Sequence, residues 1–247
     1  FLLLGCLLGR GESSAAVVRL MSDTRSVSLA PLVLVLEDPA GTMTLADAQR
    51  RAGEFKPSAV RDDAAINFGY SSSAWWLRID LSAEPNAPRD WLLDVAFPTL
   101  DSVEFFGPGG ERLATGDRLP FTARPLLHRN FVFPVHLDEA GVGSAWLRIV
   151  SEGTLTVPLR LWGHEAFWQD SLVSYAMLSV YFGMLLALAL YNLLLWLSLR
   201  DVNYLSYVMF AISMAVGQLS LNGLGNQFLW PGWPAWGNLA FSGGFAA

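Results

Sequence analysis

Cysteine is almost absent from this chain: Cys6 stands alone, inside the apolar opening run FLLLGCLLGRGESSAAV. Without that run, the rest of the chain can form neither a disulfide nor a thiolate zinc site. Lysine is equally scarce, with Lys56 the sole example, and 16 Lys and Arg residues face 22 Asp and Glu. A phosphate-backbone binder needs clustered cations, so nucleic acid is excluded as a partner. Charge itself is missing from the C-terminal part, where only Arg200 and Asp201 follow Asp170. Enzymatic signatures are missing too. There is no G-x-S-x-G elbow or P-loop, and GPGGER and GLGNQF begin like G-x-G-x-x-G and then fail. HEAFW (164–168) opens like H-E-x-x-H, but Trp168 stands where the second histidine belongs. His128, His136 and His164 are too dispersed to suggest a metal centre. No catalytic residue, metal or cofactor is expected in this chain, and acidic pairs such as Asp62-Asp63 and Asp138-Glu139 read as solvated loops.

What is present falls into two unlike parts. The opening run, followed by Ser14-Ala15-Ala16, reads as a partial signal peptide over 1–16 whose basic start is missing. LLGC resembles a lipoprotein processing box, but the apolar LLG after the cysteine fits that poorly. Residues 24–163 then carry ordinary charge and a period of two. In AWWLRIDLS, Trp75, Leu77, Ile79 and Leu81 face one way, and Trp76, Arg78 and Asp80 the other. DWLLDVAF (90–97), DSVEFFGPGGERL, NFVFPVHL (130–137), SAWLRIV (144–150) and TLTVPLRLW (154–162) repeat this alternation between Pro, Gly and Asn turns. His136 falls on a solvent side of its strand. TLADAQRRAGEF (44–55) has the spacing of a single helix, and APLVLVLED (30–38) reads as a further strand. Short alternating strands with at most one helix predict an all-β sandwich.

The second part is apolar. Ser171–Leu199 contains no charge and exceeds the ~20 residues a helix needs to cross a bilayer. A second uncharged segment runs over 202–229, and the tail from 237 to 247 reads as the start of a third span cut short. The chain is therefore expected to be a fragment, truncated at both ends. An exported sandwich places Arg200-Asp201 at a cytoplasmic corner and Trp230, Trp233 and Trp236 at the outer interface. Asn192, Gln218 and Asn222 read as hydrogen-bonding groups between helices. GHEAFWQDS (163–171) is a short polar bridge between the two parts, compatible with helix and with no Gly/Ser tether.

One link between strands is polar, proline-rich and aromatic together: ATGDRLPFTARPLLHRNFVFP (114–134), with Asp117, Arg118, Arg124, His128 and Arg129. Arginines offer fixed planar donor arrays for hydroxyls or carboxylates. The same residues serve equally as a structural loop, its arginines paired to carboxylates such as Asp94 or Glu104.

These stretches, from WWLRIDLS through GDRLPF to WLRIVSEGTLTVPLRLW, resemble the type 2 extracellular module of bacterial seven-transmembrane receptors with diverse intracellular signalling modules. YFGMLLALALYNLLLWLSLRDVNYLSYVMF and LNGLGNQFLWP resemble the first two spans of the same family. The resemblance implies a jelly-roll-like sensor for carbohydrate-like ligands in the periplasm, spans through the inner membrane, and a cytoplasmic output of diguanylate cyclase or histidine kinase type. It also implies a homodimer. The family's sensor motif falls on Gly116, Asp117, Phe121, Arg124, His128 and Arg129. Trp76 and Arg78, alternating away from the core face, are candidates for an aromatic platform and a donor beside Asp117, Arg124, His128 and Arg129. A membrane-anchored docking, transport or envelope-assembly component, whose sandwich binds a protein or polysaccharide, is the rival reading.

Overall fold

The structure, a computed structural model, describes residues 17–237 and residue 239. The expected signal segment (1–16) lies outside those residues, as does nearly all of the expected third span (237–247). The chain begins with β1 (Val18–Leu20), β2 (Ser26–Ser28) and β3 (Leu34–Asp38), followed by helix α1 (Leu45–Arg50). Then come β4 (Lys56–Pro57), β5 (Ile66–Tyr70), β6 (Ala74–Ala83), β7 (Asp90–Val95), β8 (Ser102–Phe106) and β9 (Arg112–Thr115). The last strands are β10 (Phe131–His136), β11 (Val142–Val150), β12 (Thr154–Val157) and β13 (Leu159–Gly163), and helices α2 (His164–Leu199) and α3 (Val202–Leu221) follow.

The strands form a seven-stranded sheet in the order β4-β3-β6-β11-β8-β9, with β1 beside β6. A four-stranded sheet runs β10-β7-β13-β2, and β12 pairs with β5 in a separate ribbon. All pairings are antiparallel except β1 against β6, whose register joins Val18 to Leu81. The sandwich thus starts ahead of the expected boundary at 24, because Val18 and Leu20 are already buried in its core. Alternation builds the interior as the sequence implies. Leu77, Ile79, Leu81, Phe105 and Leu147 of the large sheet meet Trp91, Leu93, Val95, Phe131 and Phe133 of the small one. Phe105 and Phe133 stack across the gap with ring centroids 5.0 Å apart.

The outer faces depart from the sequence reading. Helix α1 is started by a capping box, with Thr44 and Asp47 each bonding the other's backbone N–H. It lies over the outer face of the large sheet and closes a second apolar cluster of Leu34, Ala48, Phe55, Trp76, Phe106 and Trp146. Trp76, expected on a solvent-facing side, is therefore wholly buried, stacked on Phe106 at 5.7 Å. The face assignment from period two is right, but a helix at Leu45–Arg50, well before this strand in the chain, covers that face. The small sheet is covered likewise: Leu92 and Val132 pack against Phe167 of α2.

Gly163 still pairs with Trp91 in the sheet, and His164 is already the first residue of α2. The bridge expected over 163–171 is thus the start of one continuous helix of 36 residues. Its first three turns lie against the sandwich. The remainder, at 1.5 Å per residue, is about 37 Å long, enough to cross a bilayer. Leu172, Met177, Leu186 and Leu194 are exposed around it. Such an all-round apolar surface on an uncovered helix suits lipid, not water. Helix α2 ends at Leu199 with Arg200 in the left-handed conformation (φ 55), and Asp201 caps α3 by accepting from Asn203 N at 3.0 Å. The charged pair is the turn between two antiparallel helices, as its position implies. Helix α3 stops at Leu221, short of the expected 229, and a π-helical turn (Gly225–Leu229) follows. Asn192 and Asn222 do not bond across helices: each amide donates to a carbonyl of its own helix, Leu188 and Gln218, at 2.9 Å.

Candidate functional site

The link at 116–130 folds against the base of α2 and the chain that follows α3. Gly116 is required where the link leaves β9, since a Cβ there would sit 2.0 Å from the Asp101 carbonyl oxygen. Asp117 N then donates to Leu100 O at 2.8 Å and Asp117 is buried. Phe121 opens a helical turn, and its N–H donates to Pro231 O at 2.9 Å.

Arg124 is the internal strut. Its side chain is buried, and Nη1 donates to His128 O at 2.9 Å and Arg129 O at 2.5 Å. The guanidinium lies between the rings of Phe121 and Phe131, 4.8 and 4.4 Å from their centroids. Burial pushes its pKa down to about 10, while the neighbouring Asp117 acts in the opposite direction. It remains a cation at any ordinary pH.

His128 is equally enclosed. Nδ1 accepts from Asn130 N at 3.1 Å, so the neutral ring carries its proton on Nε2, 3.4 Å from Ser171 Oγ. Phe167 and Tyr175 of α2 pack edge-on to the imidazole at 5.0 and 5.6 Å. Burial, reinforced by Arg129 and Arg124, lowers its pKa to about 4. Arg129 reaches out instead: Nη2 donates to Ser174 Oγ at 2.7 Å and its backbone N to Tyr175 OH at 3.3 Å. Tyr175 OH in turn donates to Gln227 Oε1 at 2.8 Å, and Gln227 Nε2 donates to Leu127 O at 3.4 Å. Gly223 lies directly beneath, with φ 72. A Cβ at this glycine would come within 2.6 Å of Arg129 O.

Behind this clasp, Asn130 Nδ2 donates to Asp94 Oδ1 at 3.0 Å. Burial raises the Asp94 pKa to about 6, against the stabilising Asn130 bond and the charge of Arg129.

The sequence-selected residues divide. Asp117, Arg124, His128 and Arg129 belong to one buried link. Trp76 and Arg78 lie on the other sheet: Trp76 beneath α1, and Arg78 paired to Asp80 at 2.9 Å and above the Trp146 ring at 5.4 Å. Trp76 therefore offers no open ring face as a platform. The link's arginines do not pair with Glu104, which is held by Arg112 and Arg148 at 2.8 and 2.9 Å. Arg118 turns to Asp101 and Glu152 instead. His136 is exposed as expected, 2.7 Å from Asp90. Among the described residues no His, Cys, Asp and Glu cluster could hold a metal. Asn130, Ser174, Tyr175, Gly223 and Gln227 carry the arrangement and were not singled out from the sequence. Asp94, named there as a partner for the link's arginines, is bonded by Asn130 instead.

A β-sandwich whose polar link grips a long apolar helix is the build of a membrane-anchored sensor. Comparison with known families agrees: residues 30–163 match 7TMR-DISM extracellular 2, and residues 174–245 match 7TM diverse intracellular signalling. The first match alone covers more than half of the chain, which belongs to the 7TMR-DISM family of transmembrane signalling receptors and is a membrane protein. No curated protein matches it by sequence.

Proposed function

We propose that this chain is the sensing and membrane-crossing part of a bacterial inner-membrane receptor, with its sandwich in the periplasm. A small, carbohydrate-like ligand alters the sandwich. The change passes through the clasp into α2 and α3, and on to a cytoplasmic output of cyclase or kinase type, acting as a homodimer. The observation that carries this reading is the double attachment of sandwich to helix. Strand β13 runs into α2 with no intervening residue, and Arg129 grips Ser174 three turns further on. Rigid attachment lets a small rearrangement of packed elements become a helix displacement.

The test is to insert a short Gly-Ser segment after Trp162 in the complete receptor and measure its output with and without ligand. Insertion is expected to leave the protein in the membrane and abolish the ligand response. A full response in the inserted protein would overturn the mechanism.

A further inference from the structure

The charged corner at Arg200-Asp201 sets a depth scale for the chain. Charged side chains are expelled from hydrocarbon, so the corner lies at one face of a bilayer core about 30 Å thick. Helix α3 has 20 residues and is about 30 Å long at 1.5 Å per residue, so its end at Leu221 falls at the other face. Counted back along α2 from Leu199, that face falls near Val180. Tyr175 stands about 8 Å above it, at headgroup level.

The sandwich reaches down to this level at three places. Leu127 O accepts from Gln227 Nε2, and Gln227 Oε1 accepts from Tyr175 OH; the Leu127 side chain is 66% exposed. Phe121 N donates to Pro231 O; Leu119, 42% exposed, lies two residues before that bond and the exposed Trp233 two residues after it. Tyr70, the last residue of β5, is 83% exposed and shares a cavity of about 410 Å³ with Ser220 and Leu221 at the end of α3. Single exposed apolar residues are ordinary on any surface. These three come from separate loops yet meet one plane, the plane at which Tyr and Trp rings concentrate in membrane proteins.

We propose that Tyr70, Leu119 and Leu127 form a rim by which the base of the sandwich sits in the interfacial layer of the lipid leaflet on its own side. The partner is the glycerol and upper acyl region of the phospholipids, not a charged headgroup. Beside the rim, Arg118 is already shared between Asp101 and Glu152, at 3.2 and 2.5 Å. Segments drawn to anionic lipids carry a Lys- and Arg-rich face, and this rim has none among the described residues. Leu127 is two residues from Arg129, so lipid packing bears on the same link that grips α2. The inference needs only that α2 and α3 cross the bilayer, and it stands apart from the ligand reading, which the insertion experiment tests.

The test uses the full chain with its only cysteine removed (Cys6→Ser) and one new cysteine at a time: Tyr70→Cys, Leu119→Cys, Leu127→Cys or Val142→Cys. Each is labelled with an environment-sensitive fluorophore and placed in phosphatidylcholine nanodiscs. Val142 is the matched control, apolar and 62% exposed at the start of β11, about 27 Å of strand away from Val150. Val150 marks the base, since it pairs with Ser102, next to the Asp101 that lines the Tyr70 cavity. Lipid carrying a nitroxide near the glycerol is expected to quench most of the emission at 70, 119 and 127 and none at 142. A nitroxide at the end of the acyl chain is expected to quench the rim less, and added phosphatidylglycerol to change nothing. The rim positions are read separately, so one misfolded variant leaves two readings. Rim emission that matches that at 142 overturns the proposal. Blue-shifted emission without quenching assigns the rim to a protein cover, a second copy or another segment, and overturns it equally. Quenching only when phosphatidylglycerol is present overturns the apolar basis.

Discussion

Arg129 is tied to α2 twice, through Nη2 to Ser174 Oγ at 2.7 Å and through its backbone N–H to Tyr175 OH at 3.3 Å. A residue of the sandwich thus holds the membrane helix at a point about 16 Å along it from Gly163, at 1.5 Å per residue. The first turns of α2 are fixed at both ends.

Breaking that tie should loosen the turns it fixes. Ser174→Ala removes the acceptor of a charged hydrogen bond, which contributes on the order of 1.5–3 kcal/mol. Amide exchange across 164–174 is expected to accelerate by more than tenfold, with the sandwich strands little changed. Equal exchange in both proteins would show that the other contacts of these turns, Phe167, Ser171 and Tyr175 among them, hold the helix without this bond.

Gly223→Ala acts from the other side of the clasp. A side chain is disfavoured at φ 72, and its Cβ would stand 2.6 Å from Arg129 O and 2.8 Å from Pro98 Cβ. Left-handed strain alone costs roughly 1–2 kcal/mol, and the clash adds to it. Proteolysis within 222–231 is expected to increase while α3 stays intact. Gly183→Ala, where an added Cβ meets no atom within 4 Å, is the neutral control.

Trp76→Ala should behave as a core deletion. Its ring is buried between Phe106 and α1, and such truncations cost about 3–5 kcal/mol. Trp76→Phe should be much milder, because Nε1 has no partner to lose among the described residues. Thermal midpoints of the two variants, compared with wild type, check this.

Two buried groups give opposite pH dependences. His128 has its pKa lowered from 6.5 to about 4, so its contribution is present above pH 6.5 and is lost as pH falls toward 4. Asp94 is raised from 3.8 to about 6, so its contribution is full below pH 3.8 and is lost as pH rises through 6. Each amounts to about 3 kcal/mol by linkage. Between pH 6.5 and 4.5 the two largely cancel. Asp94→Asn should therefore make unfolding free energy fall steeply as pH drops, and His128→Gln should make it rise. Denaturant titrations at both pH values read this directly, and parallel curves for all three proteins would contradict it.

The sandwich was legible in the sequence because alternation reports burial on one side of a strand, and Leu77, Ile79, Leu93 and Phe133 obey it. Alternation is silent about what covers the other side. Trp76 is spaced like a solvent-facing residue, and its cover comes from Ala48 and Phe55, joined to it only by the fold. The link at 114–134 stood out because its charges sit among prolines and aromatics. Its partner did not, since Ser174, Tyr175 and Gln227 are polar groups dispersed in apolar stretches and read as helix interior. The turn at Arg200-Asp201 was legible because an isolated charged pair within so long an apolar stretch has few other places to be.

That turn has a further mechanical meaning. Only Arg200 and Asp201 join α2 to α3, so neither helix can slide far along the other. At the opposite end both legs, α2 through Ser174 and the chain after α3 through Gln227 and Pro231, are held by the same link. The structure is a closed frame with four sides: link, leg, corner, leg. A frame of this kind cannot lengthen on one side alone; it shears. Movement of the link should reach the far corner as a tilt of the whole hairpin, with Arg200 and Asp201 travelling together.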